Sequence, residues 1–562
     1  MPQQSKRERK LSTVQRNSRL GGLRVFRPEE LVFVAALLLQ LVPLLALTHV
    51  ITVDGPSHVA GAVVLARHSD PNYHAFREYY TISLFPSPNL LAQLVLTWLV
   101  QLFSATAAEK LLVGGYVVLL PLSLRYAVRS VNPRASWLAY AAFPFTYNYL
   151  LWYGFYNFCY GLALGLFAAG YAVRHRGRWA PGNVLVLSAL LLLTYFAHLV
   201  PLAMTMLFLG TLTIGDASRG VDAENAGSSY GVRRIGLALA PLALAALPAL
   251  VLAGAFIARG GAHSEPVRKS FPNLLIGLAT LTRPIVSFDK REAALSVLIA
   301  ATLASLVVLA LRQRGWRGLR GTAAPLAAAA LLSVMGYFAA PDSLGVQYGL
   351  ISTRLSFFPV FFLLLWLAAQ PTAGRVRRVS AAAFLAAAVG LMALQLPALQ
   401  QYDRHAAEYD DVARVLARGS TLVALRYSVD RPPRGQVRAY PMDPSVHLAS
   451  RVAALTAGID AGHYEAVLNY FPTQFRPGCN LRRRLDPDLN GLEAVPPRVD
   501  LLGGDPAGRP VVDYVLVTGF DRAPPEVRHD AATVAVQRQL AERYQLVHTS
   551  RPSGLVEVYV RR

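Results

Sequence analysis

Two polar side chains that could transfer a proton lie directly after the first apolar segment, in the sequence Asp54-Gly-Pro-Ser-His58. Apolar surroundings make a carboxylate more basic, so Asp54 is suited to accept a proton from an incoming hydroxyl. The alternative is a solvated acid that only ends the preceding helix. His58 is the second candidate, with a polar contact near the membrane interface as its alternative role. The pair predicts acid–base chemistry at the membrane surface.

Residues in other loops could bind an anionic substrate. Arg354 lies at the top of an apolar segment on the outer side, where basic residues are disfavoured, which indicates either a bidentate phosphate ligand or an arginine that snorkels to the headgroups. Arg268 and Lys269 lie in a loop of mixed charge, 263–292, for which an ordinary solvated loop is the alternative. His198 lies at the turn of a short apolar hairpin, where it could face the cavity that binds the substrate or cap the hairpin.

Eleven strongly apolar segments must position these side chains. A backbone inside hydrocarbon has to satisfy its own hydrogen bonds, so runs of roughly 20 apolar residues predict spanning helices. Hydrophobic residues make up 54% of the chain, more than a soluble protein of 562 residues carries, which supports an integral membrane protein. The predicted spans lie near residues 31–50, 111–128, 135–150, 155–173, 184–197, 199–214, 235–257, 294–311, 323–340, 355–369 and 381–399.

The basic residues indicate membrane topology and not nucleic-acid binding. The formal charge is +22, but only five of the 55 basic residues are lysine and most of the arginines lie in short loops between spans. The positive-inside rule predicts a cytoplasmic N-terminus, an uncleaved first span and an external C-terminus. The same rule, with a length of only about 14 residues, predicts that the apolar stretch 90–103 is a re-entrant or interfacial helix.

Three regions follow. Residues 1–29 form a basic cytoplasmic tail, residues 30–399 form an all-α polytopic membrane bundle with a first external loop over 51–110, and residues 400–562 form an extracytoplasmic α/β domain. Residues 421–426, 512–518, 546–549 and 556–560 alternate as strands do, and 531–544 has helical spacing. His447 and His463 are conspicuous polar residues of this last region. The excess of Arg, Ala, Leu and Pro is typical of a GC-rich bacterial genome, so we expect the bacterial inner membrane.

Four features together resemble one enzyme group. They are Asp54 in "VDGPSHVAGAVVLAR", the short apolar helix in a long first loop, "AEKLL" at the second span and "LWYGFYNFCYGLALGL" at the next external turn. Over about residues 25–400 the chain resembles the C-type (GT-C) glycosyltransferases. The resemblance implies that Asp54 is the general base of an inverting transfer from a polyprenyl-phosphate sugar donor. The acceptor would be a glycan, lipid or protein, on the extracytoplasmic face and in cell-envelope glycan assembly.

The chain departs from that family at one position. Many relatives carry a second acid in the turn between the third and fourth spans, where this chain offers only Asn157. The departure implies a metal-independent enzyme without a cofactor, or a non-catalytic relative. The family's lipid-phosphate contacts correspond best to Arg354, helped by Arg268 or Lys269. A lipid-linked saccharide transporter or flippase and a non-catalytic membrane scaffold remain alternatives, although spans poor in charge disfavour ion-coupled transport.

Overall fold

The computed structural model describes residues 28–219, 229–259, 265–344, 349–428 and 442–562, so the predicted basic tail lies almost entirely outside the described residues. Within these ranges nine helices are long and apolar enough to cross a membrane. The prediction of a helical membrane protein is therefore confirmed. The nine are Pro28–Ala46, Ala105–Val131, Tyr156–Arg174, Leu199–Ser218, Gly231–Arg259, Glu292–Arg314, Gly321–Ala339, Ile351–Ala368 and Gly374–Ala413.

The remaining helices are shorter and connect or flank these spans. Those before residue 400 are Gly55–Arg67, His74–Tyr79, Leu91–Leu102, Tyr149–Tyr153, Pro181–Ala197, Phe271–Ala279 and Thr282–Ile285. Those after it are Leu448–Thr456, Leu481–Leu485, Pro525–Arg528 and Ala531–Arg543. Short 3-10 helices are Pro71–Tyr73, Gly315–Leu319, Gly321–Ala323 and Tyr464–Val467, and a longer one is Pro133–Phe145.

The predicted span 135–150 has a different backbone from the other ten. It is the 3-10 helix Pro133–Phe145 followed by the short α-helix Tyr149–Tyr153, and nearly all its side chains from Leu138 onwards are buried. Pro144 lacks the N–H that a regular α-helix would use. A 3-10 helix rises about 2.0 Å per residue, so this segment covers roughly 26 Å, close to the thickness of the hydrocarbon core.

The two predicted short features, the apolar hairpin that turns at His198 and the helix over residues 90–103, are both present. Helices Pro181–Ala197 and Leu199–Ser218 meet at His198, which ends the first and begins the second, with its Nδ1 accepting a hydrogen bond from the Val200 N–H at 3.0 Å. Helix Leu91–Leu102 lies between the first two spans. Its exposed apolar side chains Leu94, Trp98 and Leu102 recur every four residues and so form one stripe, as expected of a helix lying at an interface.

The C-terminal region contains a five-stranded mixed sheet, which confirms the predicted α/β character. The strands are β2 (Thr421–Arg426), β3 (Ile459–Asp460), β5 (Tyr514–Thr518), β6 (Tyr544–Thr549) and β7 (Val556–Arg561). Their order in the sheet is β3-β2-β5-β7-β6, with β2 parallel to β3 and β5, and β7 antiparallel to β5 and β6. All four predicted strands are present within a few residues.

The loop between the first two spans and the C-terminal region share one hydrophobic core. Strand β1 (Tyr80–Ile82) of that loop pairs antiparallel with β4 (Thr473–Phe475), and Phe76 packs in the same buried cluster as Val423 of the large sheet. The last span, Gly374–Ala413, also continues past residue 400 without a break. The boundary at residue 400 remains a prediction. What matters for function is that the C-terminal region packs directly on the segment after Asp54.

Candidate active site

Asp54 lies where two loops meet. Its backbone N–H donates to the Tyr153 carbonyl at 3.1 Å, and the neighbouring Val53 N–H donates to the Trp152 carbonyl at 3.0 Å. Gly154 has a left-handed backbone with φ of 98°, and a Cβ there would come within 2.7 Å of the Asp54 Cβ. Glycine at position 154 therefore permits the close approach that fixes Asp54 at the start of helix Gly55–Arg67.

His58 lies one turn further along this helix and has an acceptor on each ring nitrogen. Its Nε2 donates to the Gly154 carbonyl at 3.0 Å, while Nδ1 forms an ion pair with Glu465. A neutral imidazole has only one N–H, so two acceptors indicate the doubly protonated ring. Burial alone lowers the pKa of His58, but Glu465, Asp54 and the Gly154 carbonyl together raise it to about 9. His58 is thus a fixed cation next to Asp54.

Glu465 is the acid that the sequence analysis did not identify. It lies in the 3-10 helix Tyr464–Val467 of the C-terminal region and is 1% exposed. Burial alone raises the pKa of Glu465, but the contacts with His58 and, at 3.8 Å, His463 lower it to about 2. Gly61 of the facing helix leaves room for it, because a Cβ there would lie 3.0 Å from Glu465 Oε2.

The Asp54 carboxylate is held partly protonated near neutral pH. Burial raises its pKa, the His58 cation lowers it, Glu465 raises it again, and the hydrogen bond with Tyr464 lowers it, which leaves the pKa of Asp54 at about 7. His447 Nε2 lies 3.6 Å from Asp54 Oδ1. Burial lowers the pKa of His447 to about 4, so this ring is neutral at pH 7.

Arg354 is the cation nearest to this centre among the predicted phosphate ligands. Its guanidinium carbon lies 4.6 Å from the centroid of the Phe155 ring, within electrostatic range of Asp54 and Tyr153. The Arg354 Nε is buried and donates no hydrogen bond to any described residue. His198 lies close to Arg354 and packs edge-on against Phe158 at 5.6 Å.

The other predicted ligands have partners of their own. Asn157 Oδ1 accepts from the Ala92 N–H at 2.7 Å and its Nδ2 donates to a backbone carbonyl, so this amide anchors helix Leu91–Leu102. Lys269 forms a 2.9 Å ion pair with Asp342, and the exposed Arg268 donates to the Ala339 carbonyl at 2.8 Å. The structure thus brings Asp54 and His58 together, with Arg354 and His198 nearby. A substrate contact by Asn157, Arg268 or Lys269 stays a prediction.

Sequence reasoning missed the C-terminal contribution to this centre. Tyr464 and Glu465 follow His463 in a short polar run, and this combination of an acid, an imidazole and a phenol was the available signal. Within the described ranges no group of three or more His, Cys, Asp or Glu side chains is arranged to hold a metal ion.

The sequence matches no protein-family model and no curated protein. In structure the chain is similar to ArnT from Cupriavidus metallidurans. The structure of ArnT in the apo state superimposes with a TM-score of 0.47 at 14% sequence identity, and that of ArnT bound to undecaprenyl phosphate with a TM-score of 0.48 at 12% identity. Each comparison covers 94% of this chain and 97% of ArnT.

Proposed function

We propose that this protein is a membrane glycosyltransferase that moves a sugar from a polyprenyl-phosphate donor to an acceptor hydroxyl on the extracytoplasmic face of the bacterial inner membrane. The observation that carries the proposal is Asp54, a buried carboxylate at the end of the first span whose pKa is about 7. A general base is most effective when its pKa lies near the working pH. The GT-C resemblance of the sequence supports the same reaction class.

The reaction begins at Asp54. Its carboxylate takes the proton of the acceptor hydroxyl while that oxygen bonds to the anomeric carbon of the sugar from the face opposite the lipid phosphate. The bond between this carbon and the phosphate oxygen breaks, and its electron pair leaves with the lipid phosphate. The configuration at the anomeric carbon inverts. His58 is not the base in this scheme, because both ring nitrogens are occupied as donors; its charge keeps Asp54 ionisable despite burial.

Arg354 stabilises the departing phosphate. Its position over Phe155 gives a preorganised cation in a buried site, where electrostatic stabilisation of a leaving group is strongest. Tyr153, which lies within electrostatic range of Arg354, lines the same region. No step of this scheme uses Arg268 or Lys269, whose recorded partners lie elsewhere.

The outward orientation of Asp54 is part of the proposal, and the distribution of the arginines supports it. Arg134, Arg314 and Arg377, at the ends of three separate helices, lie together at one end of the bundle. Arg354, near Asp54, and Gln370, near those arginines, lie at opposite ends of the span Ile351–Ala368. The arginine-bearing end is cytoplasmic by the positive-inside rule. Asp54 then faces outward, where cell-envelope glycans are assembled.

The deciding experiment replaces Asp54 by asparagine. Asp54→Asn keeps the size of the side chain but cannot accept the proton, so transfer should fall by about a hundredfold or more. Transfer is measured in purified membranes from sugars linked to undecaprenyl phosphate, the lipid named with the ArnT structure, or as restoration of the missing glycan in a deletion strain. Asp70→Asn, in the same loop, is the matched control and should keep wild-type activity.

Wild-type transfer by a well-expressed Asp54→Asn protein would refute this assignment. A transporter of lipid-linked saccharide would continue to move its cargo in that variant, because no proton transfer to Asp54 is needed. Loss of the glycan with retained movement of the lipid-linked sugar across the bilayer would therefore separate the two functions.

A further inference from the structure

A second polar cavity lies at the other end of the membrane bundle. Its volume is about 350 Å³, and its polar lining comprises Asn132, Arg134, Arg314, Gln370, Thr372 and Arg377, with the Trp137 ring beside them. Four chain segments contribute: the start of the 3-10 helix, the end of helix Glu292–Arg314, the turn after the span Ile351–Ala368, and the first turn of Gly374–Ala413. A cavity of this volume is large enough for a small ligand.

This cavity is separate from the Asp54 site. Arg354, beside Asp54, and Gln370, in the cavity wall, are 16 positions apart along one nearly continuous helix. At 1.5 Å per residue they are separated by about 24 Å. No group in the proposed transfer reaction can therefore contact a ligand in this cavity.

The cavity wall has the chemistry of an anion site. Three guanidinium groups line it, and none of the described residues in the wall is acidic. The Arg377 Nε is buried and donates no hydrogen bond to a described residue. Guanidinium groups bind phosphate through paired charge-assisted hydrogen bonds, and three of them around one cavity favour a phosphate ligand.

Gln370 is part of the cavity wall and is held in place by the protein itself. The side chain is 5% exposed, and its Nε2 donates to the Gly318 carbonyl at 3.1 Å, which fixes the orientation of the amide. The three guanidinium groups are therefore the charged groups that a ligand in the cavity meets.

We propose that this cavity binds a phosphate ester, with the phosphate on Arg134, Arg314 and Arg377. The headgroup of an anionic lipid such as phosphatidylglycerol and a soluble ester such as glycerol 3-phosphate share this chemistry. The proposal is independent of the transfer reaction, since it uses no residue of the Asp54 site.

The experiment measures thermal stabilisation of the purified full-length protein in neutral detergent. Phosphatidylglycerol, glycerol 3-phosphate and, as the neutral reference, phosphatidylcholine are titrated separately. We expect an anionic ligand to raise the melting temperature and phosphatidylcholine to leave it unchanged. Arg377→Gln and Arg134→Gln should each raise the Kd for the anionic ligand by about tenfold or more, because each removes a charge-assisted hydrogen bond. Arg312→Gln, an exposed arginine outside the cavity wall, should bind like the wild type.

The outcomes distinguish the sources. Stabilisation by phosphatidylglycerol that glycerol 3-phosphate cannot displace assigns a lipid headgroup, whereas binding of glycerol 3-phosphate alone assigns a soluble ester. Failure of both ligands to bind, or equal affinity in the wild type, Arg377→Gln and Arg134→Gln, overturns the proposal. The Debye length falls by roughly a factor of three between 50 and 500 mM salt, so binding to three arginines should weaken over this range. Wild-type binding that is unchanged over this range also overturns the proposal.

Discussion

The pKa of Asp54 depends on two neighbouring charged side chains, His58 and Glu465. Glu465 holds His58 as a cation, and His58 in turn lowers the pKa of Asp54, which burial has raised. The His58 cation has a larger effect on the pKa of Asp54 than the Glu465 anion has. Removing Glu465 should therefore act on Asp54 mainly through the loss of the His58 charge.

Because the His58 charge has the larger effect on the pKa of Asp54, the direction in which Glu465→Gln shifts the pH profile can be predicted. Asp54 is active when deprotonated, so kcat/KM should rise with pH through about 7 in the wild type. In Glu465→Gln, burial dominates the pKa of His58 and the ring becomes neutral, so the pKa of Asp54 rises and the acid limb moves to higher pH. The profile is measured from pH 5.5 to 9.5. Glu78→Gln, an exposed acid, should leave the limb in place, and a limb at or below the wild-type position in Glu465→Gln would contradict this coupling.

Arg354 can be tested by a change that keeps its charge. Arg354→Lys retains a cation but loses the planar donor fork and the stacking on Phe155, so we expect a higher KM for the lipid-phosphate donor, by about tenfold, with insertion unchanged. Donor titrations in purified membranes measure this. Arg259→Lys is the matched control, because Arg259 is an exposed arginine that also lies over a phenylalanine ring, that of Phe85. An unaltered KM in Arg354→Lys would exclude Arg354 from the donor site.

At the scale of elements, a charged cluster ties the end of the first span to the C-terminal region. His49 contacts Asp403 through Nδ1 at 2.7 Å and Asp410 through Nε2 at 3.1 Å. Arg451, on helix Leu448–Thr456, donates to both Asp410 oxygens at 2.6 and 2.8 Å. The cluster lies next to the Asp54 loop, so it helps to hold that loop against the region that supplies Glu465.

Asp410→Asn should weaken this connection. The variant removes the charge shared by His49 and Arg451, so we expect the free energy of unfolding to fall by about 1–3 kcal/mol. Thermal unfolding in detergent, followed by intrinsic fluorescence, measures the loss. The exposed Asp488→Asn change should have little effect on the melting temperature. If both variants melt like the wild type, the cluster does not stabilise the fold.

Most elements could be predicted from the sequence because their patterns are local. The short apolar run in Thr421–Arg426 and the helical spacing of Ala531–Arg543 do not depend on distant residues. The 3-10 helix Pro133–Phe145 was expected to be an ordinary span, since its apolar content is the same in either backbone. Asp54 and His58 could be selected from their position alone. Glu465 could not be placed beside them, because no local pattern encodes a contact between residues so far apart in the chain.

At the scale of the whole molecule, the arginines from three helix ends that meet around one cavity favour a single cytoplasmic end. In a background where both native cysteines are replaced by serine, Ser69→Cys and Ala507→Cys should react with an impermeant maleimide in intact cells. Gln313→Cys should react only after permeabilisation. All three positions are exposed, so burial does not explain a difference. Labelling at Gln313→Cys with protection at Ser69→Cys would reverse the orientation and move Asp54 to the cytoplasm.

The contact between Glu465 and His58 also has a consequence for biogenesis. A ribosome adds about 5–20 residues per second, so Glu465 emerges roughly 20–80 s after His58. During that time the first span is already in the bilayer, but the nascent protein lacks the acid that keeps His58 charged. The Asp54–His58 pair is complete only after the final span has been made and the segment behind it has folded onto the Asp54 loop. Misfolding of that segment would thus leave an inserted bundle in which His58 lacks its acidic partner.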